Sequence, residues 1–133
     1  MRANLFDRQA FVERIGTDPA VQREIIGLFL DLQPHRMDEL AQSVARDDSR
    51  SVRILAHSLA GAFRTIAMPL LGDIAKHLET AAARGDLDLC RTLFLELDEL
   101  FARVMAELSD DPAQREPCGI RVEILPLAYA LAR

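Results

Sequence analysis

The sequence predicts an all-α protein: an antiparallel up-down four-helix bundle with a short extra N-terminal helix. Three observations carry this prediction. Half of the 133 residues are apolar and only 5% are aromatic, with leucine and alanine dominant, a composition that favours helix over sheet. Apolar residues recur at spacings of three and four along four long segments. The breaks between those segments are short and rich in Pro, Gly and Asp, so successive helices return as antiparallel neighbours. A chain of this length holds one domain with a real core and is too short for two ordinary ones.

In chain order, Asn4 can cap a short first helix over "FDRQAFVERI", which Gly16 ends. Asp18 and Pro19 then supply an N-cap and a first helical residue. The second helix runs to about Arg46, with Ile25, Leu28, Phe29, Leu32, Leu40 and Val44 as its expected inner face. Pro34 should bend it or loosen its hydrogen-bond ladder. After "RDDSRS" a third helix extends from Val52 to about Ala67, with Leu55, Leu59, Ala62 and Ile66 as an apolar stripe. Pro69 opens a fourth, facing Leu71, Ile74, Ala75, Leu78 and Ala82 inward. "RGD" at 84–86 closes it, with Gly85 suited to the left-handed position and Asp86 to the next cap. The fifth helix carries Leu89, Leu93, Leu97, Leu100, Phe101, Val104 and Leu108 until "SDDP". These boundaries give a bundle over 1–109 and a tail over 110–133. In the tail Ile120, Val122 and Ile124 alternate with Arg121 and Glu123, a strand-like period without a partner strand. The tail could pair with another copy, pack on the bundle or be disordered; a monomer is expected, with a tail-mediated dimer as the alternative.

Composition excludes several functions. A net charge of −5 argues against a general nucleic-acid binder, which needs a basic surface. The start of the chain lacks the apolar core of a signal peptide. The longest apolar run, 124–132, is nine residues long and includes Pro126, against about 20 for a bilayer span. Cys90 and Cys118 form neither a metal motif nor a disulfide framework, so a reducing cytoplasm is the simplest setting. His35 and His77 have no second ligand at metal spacing, and no glycine-rich phosphate loop or nucleophile elbow is present. Met37, Met68 and Met105 suit packing.

The third helix holds the chemistry. Arg53, His57, Gly61 and Arg64 fall at −4, 0, +4 and +7 and form a polar stripe opposite the apolar one. A glycine inside a helix costs about 1 kcal/mol relative to alanine, so Gly61 calls for a reason. Gly61 and the small Ala60 would let a large partner approach the His57 ring. Imidazole can accept a phosphoryl group on one nitrogen when the other holds the proton. Glu79 on the fourth helix can fix that proton, and Lys76, one turn earlier and the chain's sole lysine, could meet the phosphate. Taken singly, each residue also has an ordinary reading. His57 could be a solvated side chain, Gly61 an aid to helix packing, the arginines solubility charges, and Lys76 with Glu79 a surface pair worth ~0.2–0.5 kcal/mol.

Together, these residues match a known pattern. The stretch "AHSLAGAFRTIAMPLLGDIAKHLETAAARGDL" resembles the histidine-containing phosphotransfer (Hpt) domains of multistep two-component relays, through Ala56, His57, Leu59, Gly61, Ile66, Leu78, Glu79 and Gly85-Asp86. The preceding "LFLDLQPHRMDELAQSVARDD" looks like the family's second helix and acidic turn, and the resemblance covers about residues 5–108. It implies that His57 carries the phosphoryl group, that Glu79 orients its ring, and that Gly61 leaves room for a docking receiver domain. The expected partners are a response-regulator receiver domain and/or a hybrid histidine kinase. The chain itself would need no cofactor or metal and would not be an independent enzyme, the receiver supplying the aspartate and Mg²⁺. Two positions depart from the pattern. Ala60 stands where a lysine is usual and Ala67 where a glycine is usual; Lys76, Arg53 and Arg64 are the cations that could take over the missing charge. The leading expectation is a cytoplasmic phosphocarrier. The alternative is a non-phosphorylated adaptor that kept the docking surface, and a weaker one is a structural dimer built through the tail.

Overall fold

Each turn of the bundle is set by a residue in the left-handed region just past a helix end. In the computed structural model, which describes residues 5–109, the helices are α1 (Arg8–Ile15), α2 (Pro19–Ala45), α3 (Ser49–Thr65), α4 (Pro69–Ala83) and α5 (Leu87–Ser109). Asp47 (φ 56°) follows α2, Ala67 (φ 64°) follows α3, and Gly85 (φ 71°) follows α4. At each turn the next backbone N–H reaches back five residues: Asp48 to the Ser43 carbonyl, Met68 to that of Phe63 and Asp86 to that of Ala81, at 3.0, 2.8 and 3.0 Å. Asp48 and Asp86 then cap the following helices, accepting from the N–H groups of Ser51 and Leu89. Asp18 and Pro19 start α2 as the sequence predicts. The cap of α1 is Asp7, which accepts from Ala10 N–H; Asn4, assigned that role above, lies outside the described residues. So does the whole of 110–133, including the strand-like 120–124 and any pairing it makes.

Helices α2, α3, α4 and α5 form a ring in which each packs on the next and α5 returns to α2. No strand occurs among the described residues. The all-α bundle is therefore as predicted, and α1 is its short extra helix. This helix is tied to the end where α3 meets α4: Asp7 N–H donates to the Ala67 carbonyl at 2.8 Å, Arg14 donates to the Arg64 carbonyl, and Phe11 is fully buried. The core centres on Phe29, Phe63 and Phe101, one each from α2, α3 and α5, with ring centroids 6.0–6.4 Å apart in tilted arrangements. Met37, Met68 and Met105 pack into it, and burial raises the thiol pKa of Cys90, which lies there too.

Several inner faces differ from expectation. Helix α2 buries Ile26, Phe29, Leu30, Met37, Leu40 and Val44, while Leu28 and Leu32 stand 46% and 49% exposed. The cause is that this segment is apolar nearly all round, so periodicity alone does not fix its rotation. Helix α2 runs unbroken through Pro34, which donates no hydrogen bond to the preceding turn. In α3 the buried face is Val52, Ala56, Leu59, Ala60 and Phe63, and the expected stripe residues Leu55 and Ala62 are only half-buried. Small Ala56 and Ala60 let α4 sit close on that side, which turns α3 away from the expected phase. Leu89, placed in the core by spacing, is exposed in the first turn of α5.

Candidate functional site

His57 projects from the middle of α3 with 73% of its side chain exposed. At about 100° per residue His57 falls about 60° beyond Ala60, just outside the arc of α3 that holds Val52, Ala56, Leu59, Ala60 and Phe63, so it is exposed and still reaches α4. Its Nδ1 lies 3.1 Å from Oε2 of Glu79 on α4. Glu79 is mostly buried, with 17% of its side chain exposed, and its other oxygen, Oε1, accepts from Lys76 Nζ at 3.2 Å. Burial pushes the Glu79 carboxyl up, but the hydrogen bonds from Lys76 and His57 outweigh it, and the pKa ends below the usual value. Glu79 is therefore a carboxylate at neutral pH and can only accept. In the neutral ring this contact favours the tautomer with the proton on Nδ1 and the lone pair on Nε2.

Around this trio the sequence-predicted residues divide. Gly61 is exposed, and a Cβ built on it would meet nothing within 4 Å, so its open patch of backbone lies one turn beyond His57. Arg53 is exposed on the same face, one turn before His57. Ala60 is a correction: it is 3% exposed and packs toward α4, so it offers no surface to a phosphate or a partner. Arg64 is drawn elsewhere. Its guanidinium lies 3.8 Å from the Asp73 carboxylate, and its Cγ passes 2.9 Å from where a Cβ on Gly72 would sit. Gly72 thus makes room for the Arg64 side chain to lie across α4, about 10 Å along α3 from the level of His57. Sequence reasoning passed over Gly72, which shows only as a second glycine in a helical segment.

Sequence reasoning also missed an apolar margin. Ile54 is 54% exposed and shares the outer face of α3 with Ser58 and Gly61, at i, i+4 and i+7. Phe29 packs on Phe63, so the antiparallel register sets Leu32 of α2 about level with Ala60 and Gly61 of α3. The available signal was the surplus of leucines on α2, more than one inner face can hold. Elsewhere His35 and His77 are exposed. No cluster of three or more His, Cys, Asp or Glu placed to hold a metal occurs among the described residues. None of their helices is long and apolar enough to cross a membrane.

The site is thus an exposed imidazole, held through Nδ1 by a carboxylate, with open backbone one turn away. No curated protein and no solved structure matches the chain. A family model for the Hpt domain matches residues 24–107, a span that contains α3, α4 and every residue of this site. The chain belongs to the Hpt domain family, the phosphotransfer modules of two-component signalling.

Proposed function

We propose that the protein relays a phosphoryl group between receiver-domain aspartates through His57. The observation that carries this reading is the pairing of an exposed His57 with a carboxylate that holds its Nδ1 proton. Nε2 of His57 attacks the phosphorus of an aspartyl phosphate, the N–P bond forms, and the acyl P–O bond breaks to release the aspartate carboxylate. No proton need move. The positive charge left on the ring faces the Glu79 carboxylate through Nδ1, which favours the phosphorylated state. The reverse step returns the group to another aspartate, so the chain acts as a carrier without its own turnover, with Mg²⁺ held on the receiver.

Arg53, Gly61 and the exposed apolar side chains Leu28, Leu32 and Ile54 suit a receiver domain or the receiver of a hybrid histidine kinase as the docking partner. The proposed setting is the cytoplasm, and the proposed acting form is a monomer. One observation favours a second reading. Position 60 carries a buried alanine and no cation, which suits an adaptor that binds receivers without being phosphorylated. Incubation with phosphorylated receivers, followed by mass spectrometry, decides between the two. The relay requires acid-labile phosphate on His57 that is absent in His57→Gln. Equal receiver binding by both proteins with no phosphohistidine in either selects the adaptor.

A further inference from the structure

We propose that Lys76 is a positioning residue for His57, acting through Glu79 and not on the phosphoryl group. The inference rests on the relay reading and refines the expectation that Lys76 replaces the charge missing at position 60. The order of contacts is the reason. Lys76 Nζ meets Oε1 of Glu79 at 3.2 Å, and Oε2 of the same carboxylate meets His57 Nδ1 at 3.1 Å. Lys76 thus reaches the ring through the carboxylate on Nδ1 and makes no hydrogen bond to the ring itself, while Nε2 is the nitrogen that the carboxylate leaves unbonded. Both charges reach His57 from α4, Lys76 and Glu79 being one turn apart on that helix.

The arrangement has a mechanical use. A glutamate has three side-chain torsions, and a carboxylate held by one contact to an exposed ring can rotate away at little cost. Lys76 occupies the second oxygen, so the carboxylate plane is set from both ends and the ring is held with Nε2 outward. Its charge also keeps Glu79 ionised, and only the ionised form accepts the Nδ1 proton. Other cations do not duplicate this. The Arg64 guanidinium is beside Asp73, and Arg53 makes no side-chain hydrogen bond or ion pair to Glu79. The bundle has thus kept a pinned imidazole without a lysine on the histidine helix.

A double-mutant cycle tests this on the full chain, with phosphorylated receiver as donor and circular dichroism as the check on folding. Lys76→Ala should slow phosphorylation of His57 by roughly tenfold, the scale expected for a residue that orients a reacting ligand. Lys76→Arg should restore most of the rate. In a Glu79→Ala background, Lys76→Ala should add no further loss. A loss of the same size in both backgrounds would overturn the proposal, because it would mean that the ammonium acts on the phosphoryl group directly. Nitrogen-15 spectra of the unphosphorylated imidazole give a readout independent of transfer. The Nδ1–H tautomer should predominate in the parent protein and mix with the Nε2–H tautomer in Lys76→Ala. An unchanged tautomer ratio in Lys76→Ala overturns the positioning role. A changed ratio in a protein that never accepts phosphate supports positioning and removes the relay instead.

Discussion

Helices α2 and α3 line the same core and meet through Phe29 and Phe63, yet they divide their surfaces differently. Helix α3 buries Val52, Ala56, Leu59, Ala60 and Phe63 and turns Arg53, His57, Gly61 and Arg64 outward, so its two sides differ sharply in character. Helix α2 buries Phe29, Leu30, Met37 and Leu40 and still leaves Leu28 and Leu32 about half exposed. The polar side of α3 carries the exposed imidazole, and the exposed leucines stand on α2, the helix that packs beside it. A histidine supplies chemistry but little binding energy in water, whereas exposed leucines supply binding energy and no chemistry. A phosphocarrier needs both, and the bundle draws them from adjacent helices.

Substitutions that exchange the character of the two faces test this division. Phe63→Ala removes a fully buried ring from the aromatic centre and should cost about 3–5 kcal/mol in urea denaturation. A loss below about 1 kcal/mol would mean that the core is not organised around this trio. Leu28→Arg with Leu32→Arg should change stability by only ~0.5 kcal/mol per site, since both side chains already meet solvent. The same pair should weaken receiver binding at least about tenfold, equivalent to ~1.4 kcal/mol, by calorimetry. Unchanged binding would confine docking to α3.

Two glycines should respond with opposite signs. Gly61 is helical and faces open space, so Gly61→Ala should raise stability by about 0.5–1 kcal/mol while crowding the docking surface. Gly85 has φ 71°, where a Cβ meets its own backbone, and Gly85→Ala should cost about 1 kcal/mol. Equal signs would show that Gly61 is kept for folding and not for access. The smallest expected effect is a pH dependence at Glu79. Its folded-state pKa lies below the usual 4.5, so its contribution is complete above that value and is lost as pH falls through the lowered one. Glu79→Gln should flatten the acid limb of the stability profile; an identical acid limb would remove Glu79 as a contributor.

Much of the fold was legible in the sequence. Asp18-Pro19, the acidic turn at 47–48 and Gly85-Asp86 mark helix ends because capping is local chemistry, satisfied within a few residues of chain. Residue chemistry offered Glu79, twenty-two residues on, as a candidate partner for His57, the family resemblance singled it out, and the structure puts the two 3.1 Å apart. The rotation of α2 and the burial of Ala60 were not legible, since both depend on which neighbouring helix arrives and how closely.

The sequence by itself determined the five helices, the capped starts of α2 and α5, the outward placement of His57 and the family, because propensity, capping and a one-sided apolar pattern act along a single helix. Tertiary structure alone decided which leucines of α2 remain in solvent, that Arg64 lies across Gly72 to Asp73, and that Lys76 reaches His57 only through Glu79. Those outcomes depend on side chains from different helices competing for the same space and the same carboxylates. That competition has no representation in the spacing of residues along one strand of chain.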